Sequence, residues 1–195
     1  FSGFSIAWLE WNTILHTLLW LPLIFLGIEH LVKEKSVKWI LILAFAYISS
    51  FFAGHLQVFF YSFLFTLIYL IARILTFQNK QKIILLFVIC FLLFVSITAI
   101  QWVPTFQFIS QSARGFDQGS WMREGWFLPW QNLIQFVVPD FFGNPATGNY
   151  WGIWNYGEFI GYIGILPLFF AFYSVFFRKD KKTLFFSLIT FFCFL

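Results

Sequence analysis

Residues 83–102, IILLFVICFLLFVSITAIQW, run from Ile83 to Trp102 without a charged side chain. Roughly 20 apolar residues in a helix cross the hydrocarbon core of a bilayer, so this stretch reads as a membrane span. Working outward, similar runs occupy residues 15–31, 37–52, 58–77 and 160–177, and a further run begins at residue 183. They are continuous rather than alternating, which excludes the period-two pattern of a membrane β-barrel. The expected fold is all-α: a polytopic transmembrane helical bundle forming one domain over residues 1–195. Pro22 lies inside the first span, where proline is tolerated as a kink. Pro104 is expected to end the fourth span.

Composition agrees. The chain is 61% hydrophobic and 10% charged, against about 25% charged in soluble domains. A net charge of +4 does not indicate nucleic acid, because the basic residues sit in short clusters beside spans. Cys90 and Cys193 both lie in apolar runs and read as packing residues. The chain starts at Phe1, its single Met is Met122, and its last run, 183–195, is short for a span. It therefore reads as an internal piece of a longer protein, with Phe1 to Trp8 as the last turns of a preceding span.

If the spans alternate, Lys33, Lys35, Lys38, Arg73, Lys80, Lys82, Arg178, Lys179, Lys181 and Lys182 fall on one side, leaving Arg114 and Arg123 on the other. The excess of Lys and Arg marks the first side as cytoplasmic. Glu10, the turn at Gly54-His55 and the loop 103–159 are then exterior to the cytoplasmic membrane.

That loop is long for a connection with no function of its own. Counting Trp102 at its edge, it holds Trp121, Trp126, Trp130, Trp151 and Trp154, with the acids Asp117, Glu124, Asp140 and Glu158. Residues 110–119 are rich in Gly, Ser and Gln and read as irregular. Residues 126–138, WFLPWQNLIQFVV, place Gln131, Asn132 and Gln135 close together on one helical face after Pro129. A short helix lying in the membrane interface is expected there. Residues 139–145, PDFFGNP, form a turn, and 148–157, GNYWGIWNYG, mix turn formers with flat aromatic surfaces.

Asp140 and Glu158 flank this aromatic loop. A carboxylate at that level deprotonates a hydroxyl, binds a sugar or holds a divalent cation, or it simply caps a turn or helix start. His55 and Gln57 stand in the short exterior turn, placed to meet a phosphate or sugar or to satisfy a helix end. Glu10 and His16 form a second polar pair, His16 about a turn inside the first span. Arg114 and Arg123 invite an anionic partner, with ion pairs to Asp117 and Glu124 as the structural alternative. Trp151 and Trp154 offer stacking surfaces for sugar rings; an aromatic belt is the alternative, but the skew of Trp towards the exterior argues for a loaded surface. There is no Gly-rich phosphate loop, CxxC or HExxH. The spans hold almost no acids besides Glu29, against ion-coupled transport.

Several motifs, in order, resemble the YfhO-type bacterial membrane proteins, which are similar to GT-C glycosyltransferases. They are Ser2-Gly3, Glu10, His16 and Trp20-Leu21-Pro22-Leu23; then Ala53-Gly54-His55-Leu56-Gln57 and Gln101-Trp102-Val103-Pro104; then Pro139-Asp140-Phe141-Phe142-Gly143-Asn144-Pro145 and Gly148-Asn149-Tyr150-Trp151-Gly152; and Glu158-Phe159-Ile160-Gly161-Tyr162-Ile163-Gly164-Ile165-Leu166-Pro167-Leu168. The turn AGHLQ departs from the commoner AGHPQ. The resemblance implies an enzyme that moves a sugar from a polyprenyl-phosphate carrier to a cell-envelope glycan or polymer acceptor. It also implies that the principal catalytic acid lies in an exterior loop preceding Phe1. His55, Gln57, Glu10, Arg123, Trp151 and Trp154 would then bind substrate, with Asp140 and Glu158 as catalytic candidates and a divalent cation as the candidate cofactor. A non-catalytic lipid or polysaccharide transporter, or an envelope-assembly protein, is the alternative.

Overall fold

The computed structural model describes residues 2–77, 79–112, 128–153 and 155–194. Among these there are helices and turns but no strand, in agreement with the all-α reading. Two compact units can be described: Phe1–Glu10 with Gly119–Leu195, and Trp11–Gln118.

The second of these contains α2 (Thr13–Leu18), α3 (Leu21–Glu34), α4 (Val37–Phe52), α5 (Leu56–Leu75) and α6 (Lys80–Gln111). Among the described residues three segments are long and apolar enough to cross a membrane: Thr13–Glu34, Leu56–Leu75 and Lys80–Gln111. The first is broken between α2 and α3, and Pro22 stands in the opening turn of α3, where its missing N–H costs nothing. The core is built on Ile24, Ile28, Leu31, Leu43, Tyr47, Leu70, Ile83 and Phe94. Gly27 lets α3 approach α4 closely: a Cβ there would lie 3.1 Å from Leu43 Cδ1. Phe51, Phe59 and Phe94 interlock with ring centroids 5.2–5.7 Å apart.

The polar groups inside this unit are all spoken for. Ser50 Oγ donates to the Thr17 carbonyl at 2.8 Å, and the Tyr47 hydroxyl meets Thr66 Oγ1 at 2.8 Å. Such bonds tie apolar helices together where lipid tails offer no alternative partner. At the opposite end from Ser50 and Thr17, Arg73 Nε donates to Glu29 Oε1 at 2.5 Å and Nη2 to Oε2 at 3.2 Å. Tyr69 adds a bond to Glu29 Oε1 at 2.6 Å. The C-terminal turns of α3 and α5 therefore lie side by side, as alternating spans require.

Helix α6 does not stop at Trp102. It passes through Pro104 to Gln111, about 48 Å at 1.5 Å per residue. One turn beyond Ile100, whose carbonyl the proline cannot bond, Thr105 Oγ1 donates back to the Gln101 carbonyl at 2.7 Å. Proline is tolerated inside membrane helices more readily than in water.

The other unit holds α1 (Gly3–Ala7), α7 (Tyr156–Phe159), α8 (Ile165–Phe177) and α9 (Lys181–Cys193). Ser2 is the N-cap of α1, its Oγ accepting from Ser5 N at 3.1 Å. Helix α1 is fixed by Gly3 N donating to the Tyr162 carbonyl at 2.7 Å and Trp8 Nε1 to that of Gly157 at 3.2 Å. Helix α8 starts at Ile165 rather than Ile160, after five residues without regular secondary structure. Gly161 packs on the Phe136 ring, and Gly164 takes φ +99. No residue of α8 or α9 is buried, as expected of apolar helices facing lipid.

After Pro129 the chain forms a 3-10 helix, Trp130–Phe136, rather than an α-helix. Its polar face points inward. Asn132 Nδ2 donates to Gln135 Oε1 at 3.0 Å and Gln135 Nε2 to the Pro139 carbonyl at 3.3 Å, while Leu133 and Ile134 are exposed.

Candidate functional site

The segment 139–152 folds on itself. Gly143 has φ +80, and a Cβ there would lie 2.2 Å from the Asn149 carbonyl oxygen, so glycine alone permits the crossing. Asn144 caps the short 3-10 turn Pro145–Thr147, its Oδ1 accepting from Ala146 N at 2.9 Å. Asn149 Oδ1 accepts from Asn144 N at 2.9 Å and from Thr147 Oγ1 at 2.7 Å. Trp151 N closes the loop onto the Phe142 carbonyl at 2.9 Å.

This closure sets a carboxylate and an indole on one small scaffold. Asp140 Oδ1 accepts from Asn144 Nδ2 and from the Tyr156 hydroxyl, both at 3.1 Å. Asn144 Nδ2 also reaches the Tyr156 oxygen at 3.1 Å. Among the described residues Asp140 Oδ2 makes no hydrogen bond, and the side chain is exposed. Burial and the adjoining carboxylate push the Tyr156 phenol up to about 12, so it stays a donor across the physiological range. Tyr150 packs edge-on against Tyr156, centroids 5.5 Å apart, and its hydroxyl donates to the Ile153 carbonyl. Trp151 is 66% exposed. Phe142 and Phe141 brace it at 4.9 and 6.2 Å and leave indole surface open to a ligand. Helix α7 carries Glu158, exposed, two residues beyond Tyr156.

The remaining candidates are dispersed. In the unit 11–118, His55 is the N-cap of α5, Nδ1 accepting from Val58 N at 3.2 Å. Gln57 Nε2 donates to the Tyr61 hydroxyl at 3.2 Å. His16 is exposed on α2, and Glu10 is exposed in the turn after α1. Arg114, Arg123 and Trp154 lie outside the described residues. Among the described residues no three His, Cys, Asp or Glu side chains converge as a metal site. With one oxygen of Asp140 committed to Asn144 and Tyr156, its surroundings do not make a cage for a resident divalent cation.

Sequence reasoning missed Asn144, Asn149 and Tyr156, which hold Asp140 and its loop. The asparagines carry a signal, since Asn beside Gly or Pro marks side-chain-closed turns. Tyr156 carries none, because its contact with Asp140 spans sixteen residues.

A family model described as "Bacterial membrane protein YfhO" matches residues 1–195, the whole chain. No curated protein and no solved structure matches.

Proposed function

We propose, from the premise that the chain belongs to the YfhO family of bacterial membrane proteins, that it carries the acceptor-handling loop of a membrane glycosyltransferase. The donor is a polyprenyl-phosphate-linked sugar and the acceptor a cell-envelope glycan or polymer on the exterior face. The observation that carries this reading is Asp140, held through one carboxylate oxygen by Asn144 and Tyr156, on the same closed loop as the exposed Trp151.

The chemistry follows from those groups. Trp151 offers a flat apolar surface to the C–H face of a sugar ring. Asp140 Oδ2 accepts a hydrogen bond from an acceptor hydroxyl, which orients its oxygen. That oxygen attacks the anomeric carbon, the carbon–oxygen bond to the carrier phosphate breaks, and the polyprenyl phosphate leaves. The hydroxyl proton passes to a carboxylate, for which Asp140 and Glu158 are the candidates. A carboxylate whose second oxygen is pinned loses little freedom on binding, and such positioning is where much of the barrier reduction in group transfer originates. The exterior assignment of loop 103–159 rests on the clustering of Lys and Arg beside the other ends of the spans.

The test is transfer of radiolabelled sugar from polyprenyl phosphate in membranes containing the protein. Asp140→Ala, Glu158→Ala and Trp151→Ala are compared at matched expression. Loss of transfer in Asp140→Ala, with Trp151→Ala raising KM more than it lowers kcat, is the expected pattern. Transfer untouched by all three removes the loop from the working site. No transfer by the unaltered protein with several donors points to a transport or assembly protein instead.

A further inference from the structure

The turn joining α5 to α6 opens a cavity of about 930 Å³ lined by Leu75, Thr76, Phe77, Asn79, Lys80 and Lys82. Its walls are divided: Leu75 and Phe77 are apolar, and Lys80 and Lys82 bring two cations. No acid lines it. Glu29, on the neighbouring α3, is taken up by Arg73 and by Lys33 at 3.5 Å. Arg73 is further committed, with Nη1 donating to Thr76 Oγ1 at 3.2 Å and the guanidinium 5.2 Å over the Phe77 ring. Lys80 and Lys82 form no ion pair among the described residues. Two uncompensated cations therefore face a cavity whose other wall is apolar, at the end of two membrane-length helices.

We propose that this cavity binds the phosphate headgroup of an anionic membrane phospholipid, with Lys80 and Lys82 on the phosphate and Leu75 and Phe77 against the glycerol and first acyl methylenes. Charge selects an anion. The apolar wall and the position at a span end select an amphiphile, because that is the level at which lipid phosphates lie. Arg73 does not contact the lipid; it is spent on Glu29 and stiffens the wall. The proposal does not depend on the glycosyltransferase reading.

The experiment uses the purified protein in detergent, offered phosphatidylglycerol or phosphatidylcholine, with retained lipid counted by native mass spectrometry. The unaltered protein retains phosphatidylglycerol in preference. Lys80→Gln with Lys82→Gln weakens that retention roughly 30-fold, the loss of two lysine contacts near a membrane surface, and leaves the melting temperature in lipid-free detergent unchanged. The control is Lys179→Gln with Lys181→Gln, a second basic run that does not line this cavity, and it leaves retention unchanged. Equal loss in both double variants reduces the effect to general basic charge and overturns the site. Equal retention of the two lipids, or no loss in the Lys80/Lys82 variant, overturns it as well. Full displacement of phosphatidylglycerol by millimolar inorganic phosphate makes it a free-anion site and overturns the lipid assignment.

Discussion

The Tyr156 hydroxyl donates to Asp140 Oδ1 at 3.1 Å, bridging the two sides of the aromatic loop. Burial and the carboxylate raise the phenol from about 10 to about 12. The folded state thus holds this proton more tightly than the unfolded chain does. The bond's contribution is complete below about pH 10 and is lost as pH climbs through 12. The unfolding midpoint of the wild type should exceed that of Tyr156→Phe at neutral pH, and the gap should close over that alkaline window. A gap independent of pH would mean that the phenol is not coupled to Asp140. Lost as a neutral hydrogen bond, Tyr156→Phe should cost on the order of 1 kcal/mol.

Gly143 and Gly148 both have positive φ, +80 and +68, but their surroundings differ. A methyl on Gly143 collides with the Asn149 carbonyl, whereas a methyl on Gly148 meets nothing within 4 Å. Gly148→Ala should cost about 1–2 kcal/mol, the left-handed backbone penalty alone. Gly143→Ala should cost more and should also open the loop, since Asn149 must withdraw. Limited proteolysis separates them: rapid cleavage near residue 149 in Gly143→Ala only. Equal behaviour of the two variants would contradict the close crossing.

At His55 a structural role and a binding role can be parted. As an N-cap its Nδ1 accepts from Val58 N. Asn supplies the same acceptor, so His55→Asn should keep stability while His55→Ala loses on the order of 1 kcal/mol. Sugar transfer should follow the same ranking, unaffected in His55→Asn. A stable His55→Asn protein without transfer would instead return His55 to the substrate site.

Much of the helical plan was legible because it depends on local composition. The expected span 37–52 coincides with α4, bounded by Ser36 and by the polar turn after Phe52. The departures come from what composition alone does not show. Proline ends most helices in water, but Pro104 lies inside α6, which continues to Gln111 as membrane helices allow. Residues 160–164 are apolar enough for a span, yet Gly161 lies against Phe136, a residue 25 positions earlier, and the chain there is not helical. Asn132 and Gln135 read as part of one polar face of an interfacial helix; paired with each other and with Pro139, they are buried. The site was half legible for the same reason. Asp140 and Trp151 are visible as residue types in a long polar loop, whereas the Tyr156 contact that pins Asp140 exists only in three dimensions.

The pair Glu29–Arg73 tests whether the two helix ends are held by charge or by packing. Both side chains are largely buried, 16% and 15% exposed. Removing one partner strands the other, which in buried pairs costs about 3–5 kcal/mol. The two losses should nevertheless differ. Without Arg73, Glu29 keeps Lys33 at 3.5 Å and the Tyr69 hydroxyl at 2.6 Å. Without the Glu29 carboxylate, Arg73 keeps Thr76 and the Phe77 ring but no anion. Glu29→Gln should therefore destabilise more than Arg73→Gln in thermal unfolding in detergent. The double variant should be less destabilised than the sum of the singles, since neither side leaves an unpaired charge. Additive losses would show that the pair is not coupled, and that packing such as Phe25 against Phe65 and Tyr69 holds α3 beside α5.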